Sequence, residues 1–330
     1  MAKIRQFNIF RYNKVSKMLF AIAPDEKISF FSSLAGLPAD LIQNFLSLRF
    51  KKSPESYIAV NDEGEVKAFI TIEKTLGNIK KWFIKSLFLT KNSFDEGAQL
   101  IDFVISKYGA HGADTFCVLI DENDDTSAGI FSKMCGFRLC SREVIWLINN
   151  LDTSDAFSKD NFNKFKNSDA KEVANLYNDN IDAHFRYSLE NEPQEFTADK
   201  SSLKFVLKTE KGQIYAFCRA KNINRKDYLA DIIVSKGYEH SFEQILKGFY
   251  SLLSEKAENI FFLNRNYTSS AKNVEHFLSE NGLEKIQTKM LLVKDFYKPI
   301  KDSESIVNPA VIFKEISGKP AFFSSKSLQK

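Results

Sequence analysis

Apolar and polar residues alternate along Ile4-Arg5-Gln6-Phe7-Asn8-Ile9-Phe10, the two-residue period of a half-buried strand. A helical pattern then opens at Leu37-Pro38-Ala39-Asp40 and continues through Leu41, Ile42, Phe45, Leu46 and Leu48, with Pro38 suited to the first turn. Two apolar runs, Tyr57 to Val60 and Val66 to Ile72, flank Asn61-Asp62-Glu63-Gly64 and predict a hairpin. Trp82 to Thr90 predicts a third strand. After Asn92-Ser93, a possible cap, Leu100, Ile101, Val104 and Ile105 share one helical face. Thr115 to Ile120 is a short, continuously apolar run, as in a buried parallel strand. The Asp-rich turn at residues 121–125 leads to a helix that ends at Cys135-Gly136, glycine being the usual residue beyond a helix end. Two final strands are expected to finish near Ile148.

The same order then returns. The pattern predicts a helix from Lys171 to Asn180, a polar stretch to Lys200, a hairpin over 205–220 and a strand over 228–234. A helix over 242–253, a strand over 260–263, a helix over 272–281 and a strand over 283–293 follow. Glu63-Gly64-Glu65-Val66-Lys67-Ala68-Phe69 recurs as Lys211-Gly212-Gln213-Ile214-Tyr215-Ala216-Phe217, and Cys135-Gly136-Phe137 as Asn281-Gly282-Leu283. Gly64 to Gly136 spans 72 residues and Gly212 to Gly282 spans 70. Two landmarks repeated in order over so long a period imply a duplicated domain rather than a solenoid. The expected division is 1–150 and 160–297, joined by an Asn-, Asp- and Ser-rich linker at 149–160, with 298–330 as a C-terminal tail. Each copy should hold a mixed, mostly antiparallel sheet flanked by helices, the α/β class.

Length and composition suit this: 330 residues, 44% hydrophobic and 27% charged, describe two globular domains of ordinary size. The net charge of +4 is nearly balanced, and Lys51-Lys52 and Lys80-Lys81 are scattered pairs rather than a patch, which argues against a polynucleotide partner. The four cysteines form no CxxC pair and no grouping with the four histidines, so no metal is expected. Cys117 and Cys218 lie in strand-like runs and read as small buried hydrophobes. Reduced thiols, the lack of a signal-like leader and of an 18-residue apolar stretch imply a cytoplasmic, non-membrane protein. The composition of residues 121–125 resembles a metal loop but lacks the glycine and terminal Glu of a calcium loop, so capping is expected instead.

The segment from Trp82 to Phe137 resembles the acyl-CoA-binding half of the GNAT (Gcn5-related N-acetyltransferase) superfamily. The likeness rests on the strand Phe83-Ile84-Lys85-Ser86-Leu87-Phe88-Leu89, the helix opening Asp95-Glu96-Gly97-Ala98-Gln99-Leu100-Ile101, the strand Phe116–Ile120 and the helix ending at Gly136-Phe137. It covers Tyr57 to Ile148 and, with fewer motifs, a similar span of the second copy; the whole chain is similar to tandem GNAT proteins with degenerate acyl-CoA motifs. The resemblance implies acetyl-CoA, or another acyl-CoA, as co-substrate and a small-molecule or peptide amine as acceptor. The central strands are expected to diverge at Leu87–Leu89 and, in copy two, at Asp231–Ile233, and backbone groups of Leu87, Phe88 and Leu89 would hold the pantetheine. Those of Ser93, Phe94, Asp95, Glu96, Gly97 and Ala98 would hold the pyrophosphate at a helix N-terminus.

Departures from the family pattern are informative. With Gly97 as the last glycine of the family loop, Asn92 takes the Arg/Gln position and Asp95 that of the first glycine; with Gly97 as the first glycine, Asp102 falls where Leu is expected. The carboxylates of Asp95 and Glu96 are expected to face outward, because they would repel a pyrophosphate. The family's frequent tyrosine acid is replaced by Ser132 in copy one and by Leu278 in copy two. Ser132, near the leaving sulfur, and Glu73, as a base acting through water, are the candidate catalytic residues. In copy two Ser235-Lys236-Gly237-Tyr238-Glu239-His240 stands in for the loop. The loop with His184, Arg186 and Tyr187 follows the helix where family members often bind the acceptor. Two other readings stay open: a Fem-like transferase using aminoacyl-tRNA, and an inactive tandem GNAT binding module. Oligomeric state cannot be read from the sequence.

Overall fold

The structure is a computed structural model that describes residues 2–7, 55–90, 92–224, 226–266, 268 and 271–296, with His184 and Asn224 described by backbone alone. The expected helix after Leu37, the remainder of the first strand and the tail from residue 298 lie outside these residues. Met1–Asp295 make one compact unit.

The strands are β1 (Lys3–Gln6), β2 (Glu55–Val60), β3 (Val66–Lys74), β4 (Lys81–Leu89), β5 (Thr115–Asp121) and β6 (Arg138–Leu147), then β7 (Asn163–Lys164), β8 (Ser202–Lys208), β9 (Ile214–Asn224), β10 (Asp227–Val234), β11 (Asn259–Arg265) and β12 (Glu284–Asp295). The helices are α1 (Phe94–Ala110), α2 (Asp125–Ala128), α3 (Ala170–Asn180), α4 (Arg186–Leu189), α5 (Pro193–Ala198), α6 (Phe242–Ser254) and α7 (Ala271–Glu280). α2 runs on into a π-helical stretch, Gly129–Met134. Residues 183–198, expected as a polar stretch, hold the short helices α4 and α5. Where two final strands were expected near Ile148, there is one long strand, β6, with no glycine, proline or asparagine inside it to break it.

The landmarks of the repeat share their backbone conformation. Gly64 and Gly212 sit in the two hairpin turns at φ +81° and +82°, and Gly136 and Gly282 follow their helices at φ +70° and +65°. In each hairpin the glycine N–H donates to the carbonyl three residues back, Asn61 in one and Thr209 in the other, at 3.1 and 2.8 Å. Glycine is needed at such positions because a side chain destabilises the left-handed conformation.

The two copies do not form separate sheets. All twelve strands join one sheet in the order β1-β2-β3-β4-β5-β12-β6-β11-β10-β9-β8-β7. The last strand of each copy has changed places. β12 pairs with β5 of the first copy, and β6 pairs with β11 of the second, both antiparallel. The two exchanged strands pair with each other down the middle. On one face α1 packs Leu100, Ile101, Val104 and Tyr108 onto Ile70, Ile72, Leu87 and Phe116. On the same side of the second copy, α6 and α7 bring Ile245, Leu246, Phe249, Val274 and Leu278 onto Ala230, Ile232 and Phe262. The opposite face of the second copy carries α3 and α5, with Val173, Tyr177 and Phe196 on Val206, Phe217 and Ile233. Helices therefore flank the sheet on both faces.

Half one (to Ile148) and half two also touch directly. The Lys81 ammonium donates to the Glu190 carbonyl at 2.6 Å and lies 3.6 Å from the Glu195 carboxylate, which also accepts from Asn78 at 2.9 Å. Gly77, at φ +78°, has no room for a Cβ, which would stand 2.3 Å from the backbone of Gln194. The β3–β4 turn of half one thus seats closely on α5 of half two.

Candidate active site

The parallel pair β4–β5 is held only from Lys81 to Ile84, against Thr115 to Val118. Beyond it the strands part. The cause is visible on the other edge of β4: Thr71 faces Ser86 and Ile72 faces Ile84, so Lys85 is the extra residue of a β-bulge. A bulge bends its strand and increases the local twist, which turns β4 away from β5. Leu87, Phe88 and Leu89 then pair with β3 alone, leaving one edge of their backbone for another partner. The divergence expected at Leu87–Leu89 is there.

At the end of this fork α1 begins. Ser93 gives the helix no side-chain cap, its hydroxyl lying instead 2.7 Å from that of Thr90. The first-turn N–H groups, which no helix can satisfy internally, thus have no carboxylate or hydroxyl on them from the cap. Asp95 is exposed, Glu96 half-buried, and Glu96 lies near enough to add to the field that raises the Lys67 pKa, behind the larger effect of Glu65. Gly97 is buried, and a Cβ there would stand 2.6 Å from Leu89 Cδ2. The missing side chain lets α1 lie against β4. Phe94 is exposed and Ala98 half-buried at the start of the helix.

Glu73 lies beside the fork, its carboxylate 3.7 Å from Lys85 Nζ. Both line a cavity of about 320 Å³ between the halves, together with Thr75 and Phe83 from half one and Arg219, Asp231 and Arg265 from half two. Ser132 is elsewhere. It is exposed on the π-helical stretch, does not line this cavity, and is turned outward while Phe131 is buried against Phe137. Counting back four residues from Gly136 assumes α-helical spacing, which a π turn breaks.

The corresponding fork in half two is spanned by an ion pair. β10 and β11 pair in parallel from Asp227 to Ala230 and part from Asp231 onward, where the divergence was expected. Asp231, buried, accepts from the Tyr177 hydroxyl at 2.6 Å and from Arg219 at 2.9 Å, and pairs with Arg265 as well. Arg265 Nε lies 3.6 Å from buried Glu143. Burial alone would push the Asp231 carboxyl up, but Arg265 and Arg219 together hold it below the usual carboxylate range. Burial raises Glu143, which Arg265 only partly offsets. The following loop is tied too: the Gly237 N–H donates to its neighbour Glu239 at 2.6 Å. Sequence reasoning missed this network. The available signal was a charge inside an apolar run, as in Phe217-Cys218-Arg219-Ala220 and Ala230-Asp231-Ile232, since an isolated charge is too costly to bury.

Asp124 serves its own loop, while Asp121 bonds within the loop and also accepts from Gln287 of β12. Asp121 accepts from the Asn123 N–H at 3.0 Å and Asp124 caps α2 through the Ser127 N–H at 2.9 Å. All four cysteines are buried and unpaired, and burial pushes the Cys117 and Cys135 thiols up to about 12 and Cys140 to about 11. Such thiols are not nucleophiles near neutral pH. No group of residues that could hold a metal ion is found among the described residues, and no helix among them is long and apolar enough to cross a membrane.

A bulged β4 splaying from β5, a helix opening at the fork, and the same plan repeated once define the tandem GNAT fold. Solved structures share it. A GCN5-related N-acetyltransferase from Sphaerobacter thermophilus superposes with a TM-score of 0.58 at 12% identity, over 91% of this chain and 97% of that one. A tandem GNAT protein from the clavulanic acid biosynthesis pathway does so at 0.57 and 11%, over 91% and 100%. A GCN5-related glucosamine N-acetyltransferase region of a fungal multi-domain β-N-acetylglucosaminidase gives 0.55 and 12%, over 89% of this chain and 38% of that one. At these identities the likeness is one of fold. No protein-family profile matches the chain, and no curated protein does.

Proposed function

We propose that the chain is an acyl-CoA-dependent N-acyltransferase, most simply an acetyltransferase, that binds its acyl-CoA in half one and its amine acceptor in the cavity between the halves. The observation that carries this reading is the contrast between the forks: β4–β5 leaves a backbone edge and helix N–H groups for a ligand, whereas β10–β11 is spanned by the Asp231–Arg265 pair and the loop before its helix is tied by Glu239.

An acyl-CoA would supply a thioester carbonyl, an electrophile toward an amine. The backbone along Leu87–Leu89 would hold the pantetheine arm and orient that carbonyl, and the N–H groups of Phe94–Glu96 would face the pyrophosphate. Lys85 belongs both to the bulge at the fork and to the cavity lining, so the acceptor cavity opens where the carbonyl would lie. Glu73, held by Lys85, would take the amine's proton through a water as the C–N bond forms and the C–S bond breaks, with CoA leaving as its thiolate and taking a proton from solvent. Positioning supplies most of the rate in such a reaction, so loss of the family tyrosine is compatible with turnover.

Thermal shift with acetyl-CoA is the test. A ligand present at about 100 times its dissociation constant stabilises by roughly 2.7 kcal/mol. No shift with acetyl-CoA or longer acyl-CoAs would leave the chain as a binding module. Glu73→Gln should lower kcat with little change in acetyl-CoA affinity.

A further inference from the structure

Four charged residues stand in one rank across the four central strands. In the ladders Asp121 of β5 faces Lys289 of β12, Lys289 faces Glu143 of β6, and Glu143 faces Arg265 of β11. Directly opposed residues point to the same side of a sheet with Cβ atoms close together, so the rank reads minus, plus, minus, plus. Asp231 and Arg219, opposite each other on β10 and β9, extend the alternation at the Arg265 end.

The registers also say what the unexchanged sheet would look like. Thr115 and Asn259 open the equivalent parallel pairings, so Asp121 is equivalent to Arg265. Lys289 and Glu143 are likewise equivalent, since each faces one member of that pair. Were each terminal strand to close its own half, Glu143 would face Asp121 and Lys289 would face Arg265. Two attractive contacts would become two repulsive ones, while the central Glu143–Lys289 contact would stay.

We infer that Asp121, Glu143, Lys289 and Arg265 decide which half each terminal strand completes, and so select the exchanged sheet against its unexchanged alternative. Glu143 and the Arg265 side chain are nearly buried, where water cannot screen them. The rank serves choice rather than net stability: a buried pair often contributes no more than apolar residues would, while its mispaired form is costly. Packing offers the competing explanation. Trp146 and Leu292 are equivalent positions of unequal size, seated in different cores.

The test leaves Trp146 and Leu292 in place and exchanges only the central charges, Glu143→Lys with Lys289→Glu. It keeps composition and the central contact but makes the unexchanged sheet the attractive one. Cysteines at 119 and 291, direct partners in the ladder, trap the exchanged form by disulfide. Cysteines at 119 and 145 trap the other. Both are placed in a chain whose four native cysteines are alanine. The native charges should give the 119–291 bond, and the charge exchange should move the ratio of the two bonds by about tenfold or more toward 119–145. An unchanged ratio would overturn the inference and assign the choice to packing. If the exchanged variant does not fold, the neutral pair Glu143→Gln with Lys289→Gln decides. It should lose preference for the 119–291 bond, and a bond formed as selectively as before overturns the inference equally.

Discussion

The two halves share a strand order and the conformations of their turn glycines, yet the gap between their parallel strands is finished in different ways. In half one a bulge at Lys85 opens the fork and the helix beyond it begins uncapped. In half two the fork holds a carboxylate between two guanidinium groups and a tyrosine hydroxyl, and the helix approach is tied by Glu239. Duplication thus kept the scaffold in both places and bridged only one of the two gaps with an ion pair. The bridged gap became a structural joint that also forms a wall of the shared cavity.

The largest effect should come from breaking that joint. Asp231→Ala would leave Arg219, Arg265 and Tyr177 without their common partner, and a buried pair broken on one side costs about 3–5 kcal/mol. Urea unfolding should show it; a loss below about 1 kcal/mol would mean the half-two fork is hydrated and open, and the contrast between the halves would fail.

Smaller effects follow from two of the helix glycines, Gly97 and Gly248. A Cβ at Gly248 of α6 would stand 2.7 Å from the Phe157 carbonyl, which is backbone, and 2.9 Å from the Phe162 ring. A Cβ at Gly97 meets only the end of the Leu89 side chain. Gly248→Ala should cost about 1–3 kcal/mol and Gly97→Ala less, and in a chain already carrying Leu89→Ala the change at 97 should cost almost nothing further. Equal costs, or an unchanged cost beside Leu89→Ala, would show that Gly97 serves something other than packing.

The smallest effect is in the pH dependence, where the network carries both signs. The Asp231 carboxyl is lowered in the folded state, so its stabilisation is present above the unfolded value of about 3.9 and is lost as pH falls through the folded one. Glu143 is raised, so its contribution is greatest below the unfolded value of about 4.3 and declines as pH rises through the folded one. Asp231→Asn should flatten the acid limb of the stability curve, and Glu143→Gln should flatten the decline at higher pH.

Much of this was legible in the chain. Gly64 and Gly212 announced matching hairpins, Gly136 and Gly282 matching helix ends, and both strand divergences fell where the repeat put them. The exchange was not legible, because an apolar strand such as Val144–Leu147 has the same pattern whichever half it closes. Nor was the charged rank, since Asp121, Glu143, Arg265 and Lys289 come together only through register. Gly97 stood out in the chain, but its contact with Leu89 carries no sequence signal. Nor does the π turn that holds Ser132 at the surface.

The central claim is that the open fork of half one, and not its bridged counterpart, receives the acyl-CoA. Hydrogen exchange by mass spectrometry, with and without saturating acetyl-CoA, tests it most directly. Protection confined to the amides of residues 85–98 is the predicted result, and protection at 231–242 instead would contradict it.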